Sequence, residues 1–217
     1  MRIPWIALGA AGATAVALAA TVAPAPARPG STATYDISLT GSQRSVVTRS
    51  GTTTDSSGCT VRHADRDLQT VTFASRRRAP LRIGPRGLPT LRFDLAARNA
   101  GSLHRETSPE SSGGACAPAK SDRACGPARL PARLTVRPRP HLGVRLDGGF
   151  VRARDRRRCA TTLVTPDGFI QPSDSRLTRS PAGAARIFVH GHLVQRTTVN
   201  KVVLVTTVDW RLTLRRV

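Results

Sequence analysis

Two histidines stand two apart in "FVHGHLV". On a strand, alternate side chains share a face, so His190 and His192 would point the same way. With a carboxylate they could hold a divalent metal. The sequence names no third ligand and Gly191 is a candidate strand break, so surface histidines are expected and no metal site. "RHADRD" places His63 beside Asp65 and Asp67. An acid can orient a histidine as general base. No GxSxG elbow supplies a nucleophile, and the stretch reads as a solvated loop. His104 with Glu106, and Asp147 before a Gly-Gly turn, read the same way. No catalytic residue is assigned. Neither GxxxxGK[ST] nor GxGxxG occurs, so no nucleotide or other cofactor is expected.

Basic residues dominate the rest. The chain carries 34 Lys and Arg against 13 Asp and Glu, a formal charge of +21 over 217 residues. Only Lys120 and Lys201 are lysines, and such Arg, Ala, Gly and Pro usage fits a GC-rich genome. Arg76, Arg77 and Arg78 form one cluster. Arg154, Arg156, Arg157 and Arg158 form another, and Arg215 and Arg216 a third. Clustered positive charge attracts anionic polymers, with an affinity that salt weakens. Aromatic residues make up only 4% of the chain. Base stacking on aromatic platforms is therefore disfavoured and sequence-specific nucleic-acid binding is not expected. The reading is a patch for an anionic cell-envelope polymer, held by charge alone.

The N-terminus reads as an address. Arg2 precedes an uncharged apolar stretch from Ile6 to Val22, and Ala25-Pro26-Ala27 offers small residues where a signal peptidase cuts. Residues 1–27 are expected to be a signal peptide and 28–217 a single secreted domain, extracellular or cell-wall associated, with no membrane span after cleavage. In an oxidising compartment, Cys59, Cys116, Cys125 and Cys159 should form two disulfides. Nine residues separate Cys116 and Cys125 in a Gly/Pro-rich stretch, which favours that pair and leaves Cys59 with Cys159.

The elements that must position these groups are strands. In the closing "KVVLVTTVDWRLTLRRV", Val202, Leu204, Thr206, Val208, Trp210, Leu212 and Leu214 share one parity, and charged residues take the other. Trp210 therefore reads as core rather than as a carbohydrate platform. "TATYDISLTG" and "QRSVVTR" suggest two strands about a Gly41-Ser42 turn. "LQTVTFASRR", "PLRI", "PTLRFDLAA", "ARLTVRP", "HLGVRL", "CATTLVT" and "ARIFVHGHLVQRTTV" add others, the last interrupted at Gly191. Residues 99–130 show no period and read as a long loop containing the Cys116–Cys125 bridge. One short helix is conceivable around "DLAARNAGSL", and "PDGFIQPSDS" reads as loop. The expected fold is all-β, an antiparallel β-sandwich or open barrel of about ten strands.

The layout "YDISLTGSQ…GC…TVTFAS", the mid-chain cysteine pair, the later Cys and the closing "TTVDWRLTLRR" together resemble a group of secreted hypothetical β-rich proteins of GC-rich actinobacteria. The segment "QRSVVTR" departs from that group by lacking a Trp. The resemblance implies export and a β fold, and it brings no assigned activity and no site. From the residues, the expected function is a non-enzymatic secreted or cell-envelope interaction module for anionic polymers. The alternatives are an extracellular hydrolase with an unidentified site and a purely structural surface protein.

Overall fold

The computed structural model describes residues 32–84, 87–110, 116–150, 169–179, 181 and 184–217. Eight strands lie among them: β1 (Ala33–Thr54), β2 (Thr60–Ile83), β3 (Leu91–Pro109), β4 (Ala119–Pro138), β5 (Gly143–Phe150), β6 (Phe169–Arg176), β7 (Arg186–Val199) and β8 (Val202–Arg216). All pair antiparallel in one sheet ordered β6-β5-β4-β3-β2-β1-β8-β7. The outer strands approach each other, and Ser175 Oγ on β6 donates to the His190 carbonyl on β7 at 2.6 Å. The result is an all-β, nearly closed antiparallel barrel.

Period two decides what faces inward. Tyr35, Ile37 and Leu39 of β1, Val71 and Phe73 of β2, Leu91 and Phe93 of β3, Leu134 and Val136 of β4, and Val208, Trp210, Leu212 and Leu214 of β8 are all buried in one core. Alternate residues such as Arg44, Arg92, Arg133 and Arg211 are exposed. An apolar interior under a charged wall is the inverse of a lipid-facing barrel. No helix occurs among the described residues, so the "DLAARNAGSL" expectation fails; that segment lies in β3.

Two glycines that read as breakers lie inside strands. A Cβ at Gly41 would come within 2.5 Å of the Phe73 ring and the Asp209 carbonyl, and one at Gly191 within 2.1 Å of the Trp210 indole. Glycine is present because a ring lies across the backbone there, not because the chain turns. Hence β1 runs 22 residues without a break at Gly41-Ser42, and β7 passes through Gly191.

The long loop expected at 99–130 is mostly strand. β3 extends to Pro109, β4 begins at Ala119, and only residues 110–118 connect them. The ladder pairs Thr107 with Ala119 and Gly101 with Cys125. Small and polar residues on both faces hide the period but do not prevent backbone pairing. "PDGFIQPSDS" likewise contributes β6, while "CATTLVT" lies outside the described residues.

The cysteine pairing also differs from expectation. Cys59 bonds Cys116, which excludes both Cys116–Cys125 and Cys59–Cys159. The sheet explains why. Val61 pairs with Pro109, and Glu110 N donates to the Thr60 carbonyl at 3.0 Å. The β1–β2 turn and the β3–β4 connection are therefore neighbours. Cys125 lies roughly 20 Å down the ladder at strand rise, and Cys159 lies outside the described residues.

Candidate functional site

The outer wall of the β7–β8 hairpin is built around Trp210. Its indole faces inward, 1% exposed, and Nε1 donates to Ser173 Oγ at 2.6 Å. With Trp210 fixed inside and Gly191 beneath it, the neighbouring residues must point out. His190 and His192 share that outward face, as their spacing suggested, and both are exposed. His192 Nδ1 lies 2.6 Å from Asp209 Oδ1, and His190 stands opposite Arg211 in register. The Arg211 guanidinium lies 5.0 Å over the ring of Phe188, itself 46% exposed. Such stacking fixes the cation's position while leaving its charge available. Among the described residues, no group of three or more His, Cys, Asp and Glu is placed to hold a metal ion.

Toward the strand ends, Arg186 and Arg215 are direct cross-strand partners, both exposed. Arg98 of β3 faces Arg129 of β4 in the same way. Like charges directly opposite destabilise a sheet. A third such pair, Arg137 and Arg145, is compensated: Asp147 lies 3.5 Å from Arg137 and Asp174 3.6 Å from Arg145. Asp147, read as a turn residue, thus serves an ion pair on β5. Asp94 similarly meets Arg133 at 2.8 Å, and Glu110 meets Arg62 at 3.5 Å. The scarce acids are used one by one. Among the described residues no acid stands opposite Arg98 or Arg129 in register, whereas Asp36 of β1 is the other direct cross-strand partner of Arg215.

The "RHADRD" stretch is strand rather than loop. His63, Asp65 and Asp67 share the inward face of β2, and Asp67 is only 5% exposed. Arg105 Nη1 of β3 donates to Asp67 Oδ1 at 2.5 Å, and its Nε lies 3.5 Å from Asp65. The Asp67 hydrogen bond and the charges of both acids hold the Arg105 guanidinium above its usual basicity, against desolvation. His63 turns away across Gly51, where a Cβ would come within 2.8 Å of the imidazole. Among the described residues it has no acid hydrogen-bond partner, so the general-base pair does not form.

His104 and Glu106 also lie on a strand, β3, and no sequence spacing points to their third neighbour. Asp122 of β4 stands opposite His104 in register, with Oδ1 2.5 Å from Nδ1; Glu106 lies 3.6 Å from Nε2. The His104 hydrogen bond holds the Asp122 carboxyl below the usual range. His104 and Glu106 edge a shallow depression of about 280 Å³ with Thr48, Ser50, Arg66 and Lys201. The fixed spacing of cross-strand partners could reveal Asp122 only once the β3–β4 register is known.

Of the expected binding arginines, Arg76 and Arg77 stand opposite Ser38 and Ile37 in β2, followed by Arg78. Their side chains, and all of Arg154, Arg156, Arg157 and Arg158, lie outside the described residues.

No family model matches the chain, and no curated protein does. Among solved structures, it is similar to the secretin InvG of the Salmonella SPI-1 type III secretion injectisome, at 10% identity and TM-score 0.24, covering 86% of this chain and 64% of that one. The atomic model of the same injectisome's basal-body proteins InvG, PrgH and PrgK gives 10% and 0.24, with 86% and 45% covered. The InvG secretin-domain β-barrel of the NC-base gives 10% and 0.22, with 87% and 63% covered. The chain thus spans less than two thirds of each of those chains, and overlap at this level assigns neither a fold family nor a function.

Proposed function

We propose that this chain is an exported, non-enzymatic module that binds anionic polymers of the cell envelope through arginines on the barrel wall. The observation that carries the reading is the pair of cross-strand arginine contacts, Arg98–Arg129, with no acid opposite in register, and Arg186–Arg215, where one acid, Asp36 opposite Arg215, faces two arginines. Each places like charges side by side at a cost in stability. A bound phosphate or carboxylate between the guanidiniums would remove that cost, and paired guanidiniums suit such oxyanions. Arg211, held over Phe188, extends the first pair along the wall. The leader-like segment ending at Ala27 and the disulfide support export, and the net charge supports an anionic partner.

The test is a salt series. Binding to cell walls of the source, with duplex DNA as comparator, should weaken linearly in log–log form. On DNA, the double variant Arg186→Gln/Arg215→Gln should reduce the slope by about 2. Absence of binding at low salt would overturn the module reading, and an unchanged slope would overturn the assignment to this pair.

A further inference from the structure

Beyond the polymer-binding wall, we infer that the end of the barrel around the β4–β5 turn docks on an anionic lipid bilayer. That turn is Pro140-His141-Leu142-Gly143, closed by Gly143 N donating to the Pro140 carbonyl at 3.0 Å. Both central residues are left-handed, with φ 55° at His141 and 61° at Leu142. This is a type I′ hairpin turn built without the Asn or Gly that such turns favour. Leu142 is held outward in it, 43% exposed. A bulky apolar residue has no local reason to occupy a left-handed turn position in water.

The segments flanking the turn are basic. Leu177 N donates to the Leu142 carbonyl at 2.8 Å, tying the turn to the segment that follows β6. Farther along, the buried Tyr35 hydroxyl donates to the carbonyls of Pro181 and Ala184, and Arg216 N bonds the Ala185 carbonyl at 2.9 Å. Burial pushes the Tyr35 phenol pKa up, partly opposed by Arg216, so the hydroxyl stays a donor. Arg139, Arg176 and Arg179 are exposed on this end, as is Val217. Neither residues 137–143 nor residues 175–186 contain an acid. Arginines attract the end to anionic headgroups. A soluble polyanion would satisfy the arginines but offers nothing to Leu142, whereas a bilayer offers hydrocarbon to that side chain. That difference selects lipid over polymer at this end.

The experiment places a reporter at the turn. In the full chain with Trp5→Phe, the variant Leu142→Trp is mixed with phosphatidylglycerol/phosphatidylcholine vesicles carrying brominated acyl chains. Trp210 is enclosed and serves as an internal reference. The new indole should lose at least half its fluorescence relative to unbrominated vesicles. Arg139→Gln/Arg179→Gln should abolish that quenching, as should pure phosphatidylcholine. The control Val194→Trp, at an exposed position farther along β7, should remain unquenched. An unquenched Leu142→Trp indole, equal quenching on neutral vesicles, or equal quenching of Val194→Trp would each overturn end-on docking. DNA binding by the same samples separates the two readings: retained binding without quenching overturns only the lipid inference, and loss of both overturns both.

Discussion

The two halves of strand β1 obey the same period and enclose different chemistry. From Ala33 to Leu39 the inward residues are apolar, packed with Phe73, Leu91, Leu134, Val144 and Leu214. From Gln43 onward they are Gln43, Ser45, Val47 and Arg49, beside Asp67, Gln69 and Thr206. The polar half satisfies its buried groups pair by pair. Gln69 Nε2 donates to Asn99 Oδ1 at 3.0 Å, Gln43 Oε1 accepts from Gln171 N at 2.8 Å, and the Ser45 and Thr206 hydroxyls lie 3.4 Å apart. Such contacts offset desolvation and add little beyond it. Stability therefore belongs to the apolar half, and the far half is held by its ladders, the Arg105 ion pairs and the Cys59–Cys116 bond. The apolar half also carries Arg186 and Arg215 and the Leu142 turn on its outside. The Arg186–Arg215 pair and the Leu142 turn thus sit on the better-packed part of the molecule.

Four perturbations sharpen or break this contrast. Trp210→Ala removes the largest buried side chain and orphans Ser173, and it should cost about 3–5 kcal/mol in denaturant unfolding. A neutral result would remove the apolar half as the source of stability. Reduction of Cys59–Cys116 releases a 57-residue separation. It should cost about 2–4 kcal/mol, since the bond restricts the unfolded chain. Gly191→Ala forces a methyl into the Trp210 indole and should cost about 1–3 kcal/mol; an unchanged melting temperature would show that the ring does not lie there. The smallest effect concerns the exposed His104–Asp122 pair. Its lowered Asp122 carboxyl stabilises the fold above the unfolded carboxylate pKa, and the contribution is lost as pH falls through the lower folded value. Asp122→Asn should therefore lower the melting temperature slightly at pH 5–7, converge with the parent at low pH and so flatten the acid limb of melting temperature against pH.

The apolar half was legible in the sequence because one face is uniformly apolar. Tyr35, Ile37 and Leu39, and Val208 through Leu214, announce their parity, and all are buried as read. The polar half was not, because Leu103, Arg105 and Thr107 face inward with no hydropathy contrast to their neighbours. Pairing there depends on backbone hydrogen bonds that any residue but proline can make. The same blindness misplaced the disulfide: short separation favoured Cys116–Cys125, while sheet adjacency brought Cys59 to Cys116. The glycines misled for a related reason, since a ring from a neighbouring strand can require glycine as firmly as a turn does. The paired arginines needed register as well; Arg215 was visible in a basic cluster, but its partner Arg186 was not.

Native-state hydrogen exchange, run oxidised and reduced, tests the contrast between the halves most directly. Amides of 35–39 and 208–214 should exchange only through global unfolding in both states. Amides of 60–66 and 103–107 should exchange through a lower-energy local opening that reduction accelerates. Uniform protection across β1–β4, unchanged by reduction, would contradict the contrast.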